Sequence, residues 1–251
     1  LYAKMEDLKK IGRFPKPRRD YNAIQLTAKK RFSKSFFAQG SYTYSRLKGN
    51  HPGLYTPNNG QVNPNINSQY DLIDLLANLD GNLPGDIPHN FKVDGYYEWD
   101  LKEAGRVIAG ARFSAFSGIP IDTLGDHYVR GYDLSAYILP RGSYGRTPFI
   151  TRADLRMQYT RKIGRDMTLG VFLDVLNVFS AQTTLTVDQR YTRDNVNPIV
   201  GGTVADLPYA KRVENRTGVE TGELATKNSN YGNPDFRMVP LSTRLGARLE
   251  F

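Results

Sequence analysis

Three histidines, His51, His89 and His127, are evenly spaced along the chain and invite the question of a metal centre. Their separation matches the length of a strand hairpin and lacks the short His-x-x-x-His spacing that puts two imidazoles on one helix face. With no cysteine in 251 residues, thiolate ligands are absent too. Asp71 and Asp74 are the nearest thing to a paired-carboxylate site, but the run Asp71 to Leu79 has apolar residues at helical spacing and reads as an amphipathic surface helix in a long loop. Asp174 and Asn177 offer a carboxylate and an amide near a strand end, where hydrogen bonds to neighbouring strands and a turn account for both. No Gly-x-Ser-x-Gly elbow, phosphate-cradling loop or His-Glu-x-x-His helix occurs. The chain is therefore expected to be neither an enzyme nor a carrier of a cofactor or metal.

The elements that position these residues set the class. Hydrophobic residues make up 39% and charged residues 24%, and the mean hydropathy is -0.51. No stretch approaches the roughly 20 apolar residues of a membrane helix. A transmembrane β-barrel passes that test unseen, because each strand crosses in roughly 9 to 11 residues and half of them face a polar interior. Tyrosine dominates the aromatics, 16 against 12 Phe, and suits a boundary with one apolar and one wet side. The net charge of +9 is spread over alternating positions and forms no block, which argues against nucleic acid as a partner. The opening Leu1-Tyr2-Ala3-Lys4 has no apolar secretion signal, so the chain is expected to be processed or a fragment.

Period-two alternation recurs seven times. From Phe149, the residues Phe149, Thr151, Ala153, Leu155, Met157 and Tyr159 share one parity, and Ile150, Arg152, Asp154, Arg156, Gln158 and Thr160 the other. Leu241, Leu245, Ala247, Leu249 and Phe251 oppose Ser242, Arg244, Gly246, Arg248 and Glu250. Stretches 22–32, 36–45, 89–101, 106–117 and 167–179 behave likewise. A one-residue slip of the Phe149 strand would turn its arginines toward lipid, at roughly 2 to 4 kcal/mol each near the midplane. Arg112, Arg152, Asp154, Arg156, Arg244 and Arg248 are therefore expected to face a lumen, which gives it a positive wall suited to an anionic or polypeptide ligand.

The connections alternate in length. Ser33–Ser35, Leu101–Gly105 and Gly164–Asp166 are tight turns, whereas Leu47–Pro88, Ile119–Pro148 and roughly Ala181–Asp235 are long and show no regular element beyond the Asp71 run. Short periplasmic turns opposite long outer loops are the habit of bacterial barrels. A strand reaching Phe251 from a long loop runs toward the periplasm, which places the C-terminus there. Seven strands is an odd count, so a partner strand is expected to be missing or to lie in Leu1 to Leu8.

Several stretches resemble one family in series: Ser41-Tyr-Thr-Tyr-Ser-Arg46 with Gly49-Asn50, Pro88-His89-Asn90-Phe91-Lys92, Ser117-Gly118-Ile119-Pro120, Pro140-Arg141-Gly142 with Gly145-Arg146-Thr147-Pro148, and Asp174-Val-Leu-Asn177-Val-Phe179. Together they look like the C-terminal barrel of TonB-dependent outer-membrane receptors, Oar-like subgroup. The resemblance implies an all-β fold, with residues 1–251 supplying the C-terminal strands of a 22-strand antiparallel transmembrane barrel whose plug and first strands precede Leu1. It also implies energy-coupled passage of a ligand across a Gram-negative outer membrane, with TonB engaged through the N-terminal region. Leu245, Leu249 and Phe251 look like the C-terminal signal read by the barrel-assembly machinery. The alternatives left open are a structural or adhesive surface protein and, less favoured, a barrel enzyme.

Overall fold

The computed structural model describes residues 14–53, 69–164 and 166–251. The expectation that a further strand lies in residues 1–8 falls outside them. Seven long strands form one antiparallel meander: β1 (Arg19–Ser33), β2 (Phe36–Gly49), β3 (His89–Asp100), β4 (Arg106–Phe116), β5 (Ile150–Lys162), β6 (Thr168–Leu176) and β7 (Ser242–Glu250). Each pairs with its sequence neighbour, and the two-residue strand Gly81–Asn82 is added beside the end of β2. The expected seven strands are all present. Among the described residues the sheet is open, with β1 and β7 each paired on one side only.

The tight ends are built as their residues require. Lys34 and Ser35 both take positive φ, 51° and 64°, in the two-residue turn joining β1 to β2, a pairing whose twist matches that of the flanking strands. Gly105 sits at φ 109°, where a Cβ would come within 2.4 Å of the Thr160 carbonyl oxygen, so that β3–β4 turn admits only glycine.

Register carries the alternation across the sheet. Leu155 lies opposite both Ala111 and Val175, and Arg156 opposite both Gly110 and Asp174. One face thus gathers Ile24, Leu26, Tyr97, Trp99, Leu155, Met157, Val171, Leu173, Leu245 and Leu249, and these large apolar side chains are exposed. The other face is polar.

The buried core lies elsewhere. Ile138, Leu139, Tyr191, Val196, Leu207 and Tyr231 pack together, and Leu79, Leu124 and Tyr137 form a second cluster, all within the three long connections. These connections are not bare loops, contrary to the sequence expectation. They contain short strands such as Leu124–Asp126, which pairs in parallel with Arg190–Asn195 and antiparallel with Ala136–Tyr137. The expected amphipathic helix over Asp71 to Leu79 is also corrected: only a single 3-10 turn forms, Ile73–Leu76, flanked by extended Leu72 and Ala77. Leu75 and Leu79 are both buried at 2% exposure, and the packing of Leu79 with Leu124 and Tyr137 outweighs continuation of the helix.

Candidate functional site

The six residues expected to line a lumen all fall on the polar face of the sheet, and the structure joins most of them to carboxylates. Arg152 Nε donates to Asp154 Oδ1 at 2.8 Å, and the same oxygen accepts the Asn177 backbone N–H at 2.8 Å. Asp174, 4% exposed, takes Arg244 through Nη2 at 2.6 Å and Nε at 3.1 Å, with Arg156 at 3.3 Å on its other oxygen. Arg248 pairs with Glu250 at 2.8 Å, and Arg112 stands in register between Asp94 and Asp154. The Phe172 ring lies beneath the Arg156 guanidinium at 4.5 Å, with the Arg244 group farther off at 5.9 Å. It occupies the space over Gly246, where a Cβ would meet ring carbons at 2.4 Å. Beside this cluster a cleft of about 190 Å³ is lined by Gln158, Thr160, Thr168, Phe172, Arg248 and Glu250 among others.

This wall is a lattice of alternating charge with an arginine surplus, not a uniformly cationic surface. Such a lattice discourages a bare hydrophobe and offers both donors and acceptors to a polar solute. Asn177, buried and at φ 52°, donates through Nδ2 to the carbonyls of Ala181 and Val239, both at 2.8 Å, which ties the exit of β6 to the entry of β7. Both Asp174 and Asn177 therefore have the structural partners expected of them.

Leu245 and Leu249 lie on the apolar face opposite Leu173 and Leu169, and Phe251, 96% exposed, follows β7 directly. The histidines occupy separate surroundings. His89 Nδ1 is 2.8 Å from the Tyr42 hydroxyl, His51 packs on Tyr70 at 5.9 Å, and His127 stacks on Tyr128 at 4.3 Å. Among the described residues no group of three His, Asp or Glu side chains is placed to hold a metal ion.

At the long-loop end, residues that sequence reasoning passed over do most of the joining. Asp86, fully buried, accepts the Leu47 N–H at 2.6 Å at the end of β2 and forms an ion pair with Arg146 of the second loop. The Asn78 side chain reaches carbonyls of both later loops. Tyr128 donates to Asp74, and burial together with that carboxylate pushes its phenol up to about 12. Burial lowers the His127 imidazole below its ordinary value, and its Nδ1 accepts the Val129 N–H at 3.2 Å. Nothing local marks these partners; Asn78 at φ 58° is legible only as one of the few residue types that tolerate the left-handed region.

Residues 11–118 match the family described as outer membrane beta barrel domain. The chain is 38% identical over 252 aligned residues, 96% of its length, to the TonB-dependent transporter Oar of Myxococcus xanthus. The chain is thus similar to outer-membrane β-barrel domains over residues 11–118 and to that transporter along nearly all of its own length. The exposed apolar face of the sheet is then the lipid-facing surface, and the polar face is the side turned from lipid. The chain spans 23% of the length of the Myxococcus protein. No solved structure matches it.

Proposed function

We propose that this chain forms C-terminal strands of the barrel of an outer-membrane, TonB-dependent transporter. The polar face lines the lumen, the long loops stand outside the cell, and the short turns and the C-terminus lie in the periplasm. The observation that carries the reading is the two-ended sheet, with tight turns at one end and loops with their own core at the other, in a chain similar over 96% of its length to a TonB-dependent transporter. Arg112, Arg152, Arg156, Arg244 and Arg248, interleaved with acids, give the lumen a surplus of donors for a polar, anionic or polypeptide ligand. Energy enters through TonB acting on a region outside this chain, and the chain itself carries out no chemical conversion. Leu245, Leu249 and Phe251 present the outward apolar pattern by which the assembly machinery would take up the last strand.

Orientation is tested by labelling intact cells with a membrane-impermeant maleimide, using full-length receptor variants Val200→Cys in the third loop and Lys34→Cys in the first turn. Labelling of Val200→Cys alone is expected; labelling of Lys34→Cys alone overturns the orientation. Transport is tested by comparing the soluble periplasmic contents of cells that carry the receptor with and without TonB. Identical contents would count against energy-coupled uptake.

A further inference from the structure

Asn78 lies two residues beyond the 3-10 turn of the first long loop with its backbone in the left-handed region, φ 58°. That conformation turns its side chain into the two later loops. Nδ2 lies 3.1 Å from the Tyr137 carbonyl and 3.0 Å from the Ile138 carbonyl of the second loop, and 3.0 Å from the Ile199 carbonyl of the third. Oδ1 accepts the Gly201 N–H at 3.1 Å, and the Asn78 backbone carbonyl accepts the Arg141 N–H at 2.9 Å. An amide has two N–H donors, so three carbonyls engage the whole donor capacity of this side chain.

The loops it joins are also joined to each other. Ile199 N–H donates to the Ile138 carbonyl at 2.8 Å, directly beside the amide. Ile138, Leu139 and Val196 are fully buried in the cluster that the second and third loops share. Tyr128 and Tyr132 of the second loop donate to Asp74 and Asp71 of the first. A cleft of about 350 Å³ draws its walls from all three, including Asp74, Ala77, His127, Tyr128, Pro198 and Gly218. If one loop left alone, it would strand carbonyls in an interior where water does not reach them, and a buried polar group without a partner is costly.

We propose that residues 69–88 of the first long loop and the second and third long loops form a single lid, that Asn78 is its clasp, and that the lid opens and closes as one body. Access to the barrel is then governed by one concerted equilibrium and not by three independent flaps. The consequence for access rests on the transport reading given above. The existence of the clasp does not, and it is read out in detergent, where no transport occurs.

The test is backbone hydrogen exchange, at single-amide resolution, on the full-length receptor in detergent micelles. The variants are Asn78→Gly, which keeps the positive φ but removes the side chain, and Asn78→Asp, which sets an acceptor against three carbonyls. The informative amide is Val196 of the third loop, because it donates to the Asp126 carbonyl of the second at 3.1 Å and neither residue bonds Asn78. Concerted motion predicts that exchange at Val196 rises together with that at Arg141, Ile199 and Gly201, about tenfold or more, while amides of the β5–β6 hairpin keep their protection and show that the barrel is folded. A rise confined to Arg141, Ile199 and Gly201, which all lie against Asn78, with Val196 as slow as in the unaltered receptor, would overturn the single lid. So would a rise at Val196 in Asn78→Asp that is absent in Asn78→Gly, since that would be repulsion by the new charge and not loss of a clasp.

Discussion

The sheet and the lid solve opposite problems with the same side chains. On the outward face of β6 and β7, Leu173 is 42% and Leu245 75% exposed, whereas Ile138 and Leu139 in the loops are fully buried. A leucine in the sheet finishes its surroundings with lipid, and an isoleucine in the lid must find protein. The sheet therefore needs only correct parity, because any apolar side chain of roughly suitable size satisfies a fluid solvent. The lid needs specific neighbours, since a water-facing structure is close-packed and feels the loss of single methylenes.

The largest expected effect that would break this comparison is in the lid. Ile138→Ala removes a fully buried side chain from the shared cluster and should cost about 2 to 5 kcal/mol of lid stability, seen as local exchange or proteolysis of the loops while the sheet holds. Equal protection of the loops in this variant would mean that the cluster is not a cohesive core. On the sheet, Leu173→Arg turns a guanidinium toward lipid and is expected to lower folding stability in bilayers by about 2 to 4 kcal/mol, measured by denaturant titration in vesicles. Asp174→Asn sharpens the comparison from the polar face. It leaves Arg156 and Arg244 with a neutral partner and should cost about 1 to 3 kcal/mol, and the combined Asp174→Asn, Arg244→Gln variant should recover part of it. If the double variant were as unstable as the sum of the singles, the carboxylate and guanidinium would be acting separately.

The smallest effect is a pH dependence confined to the lid. Burial holds the His127 pKa below that of an unfolded chain, so its contribution is fully present above about 6.5 and is lost as pH falls from there through the lowered folded value. Asp74, the carboxylate that acts on it, opposes the shift. Loop protection should therefore weaken on mild acidification, and His127→Phe should flatten that profile. A profile that is unchanged by the substitution would remove His127 as its source.

Parity is a local property, which is why the seven strands, the tight turns and the facing of Arg152, Asp154 and Arg156 were legible from the residues alone. The pairing of Arg156 and Arg244 on Asp174 was also within reach, because counting outward from the turn after Lys162 sets Arg156 opposite Asp174. The expectation of a plainly positive wall overlooked that count. The lid was not legible at all. Asn78 meets Ile199 and Gly201 more than a hundred positions away, and Asp86 meets Arg146 across an entire hairpin, so neither partner leaves a periodic trace. The misread helix at Asp71 has the same origin: its spacing of leucines is helical, but Leu79 is claimed by Leu124 and Tyr137.

Asp86 also imposes an order in time. Its carboxylate is satisfied by the backbone of Leu47, at the last turn of a strand, and by a guanidinium that arrives only after β4 has been laid down. The hairpins with tight turns close over short stretches of chain, whereas this junction closes over a long one and forms later than they do. A chain caught early in its folding would thus show closed tight-turned hairpins and an unfinished roof, with the Asp86 site as the point at which strand and loop are fastened.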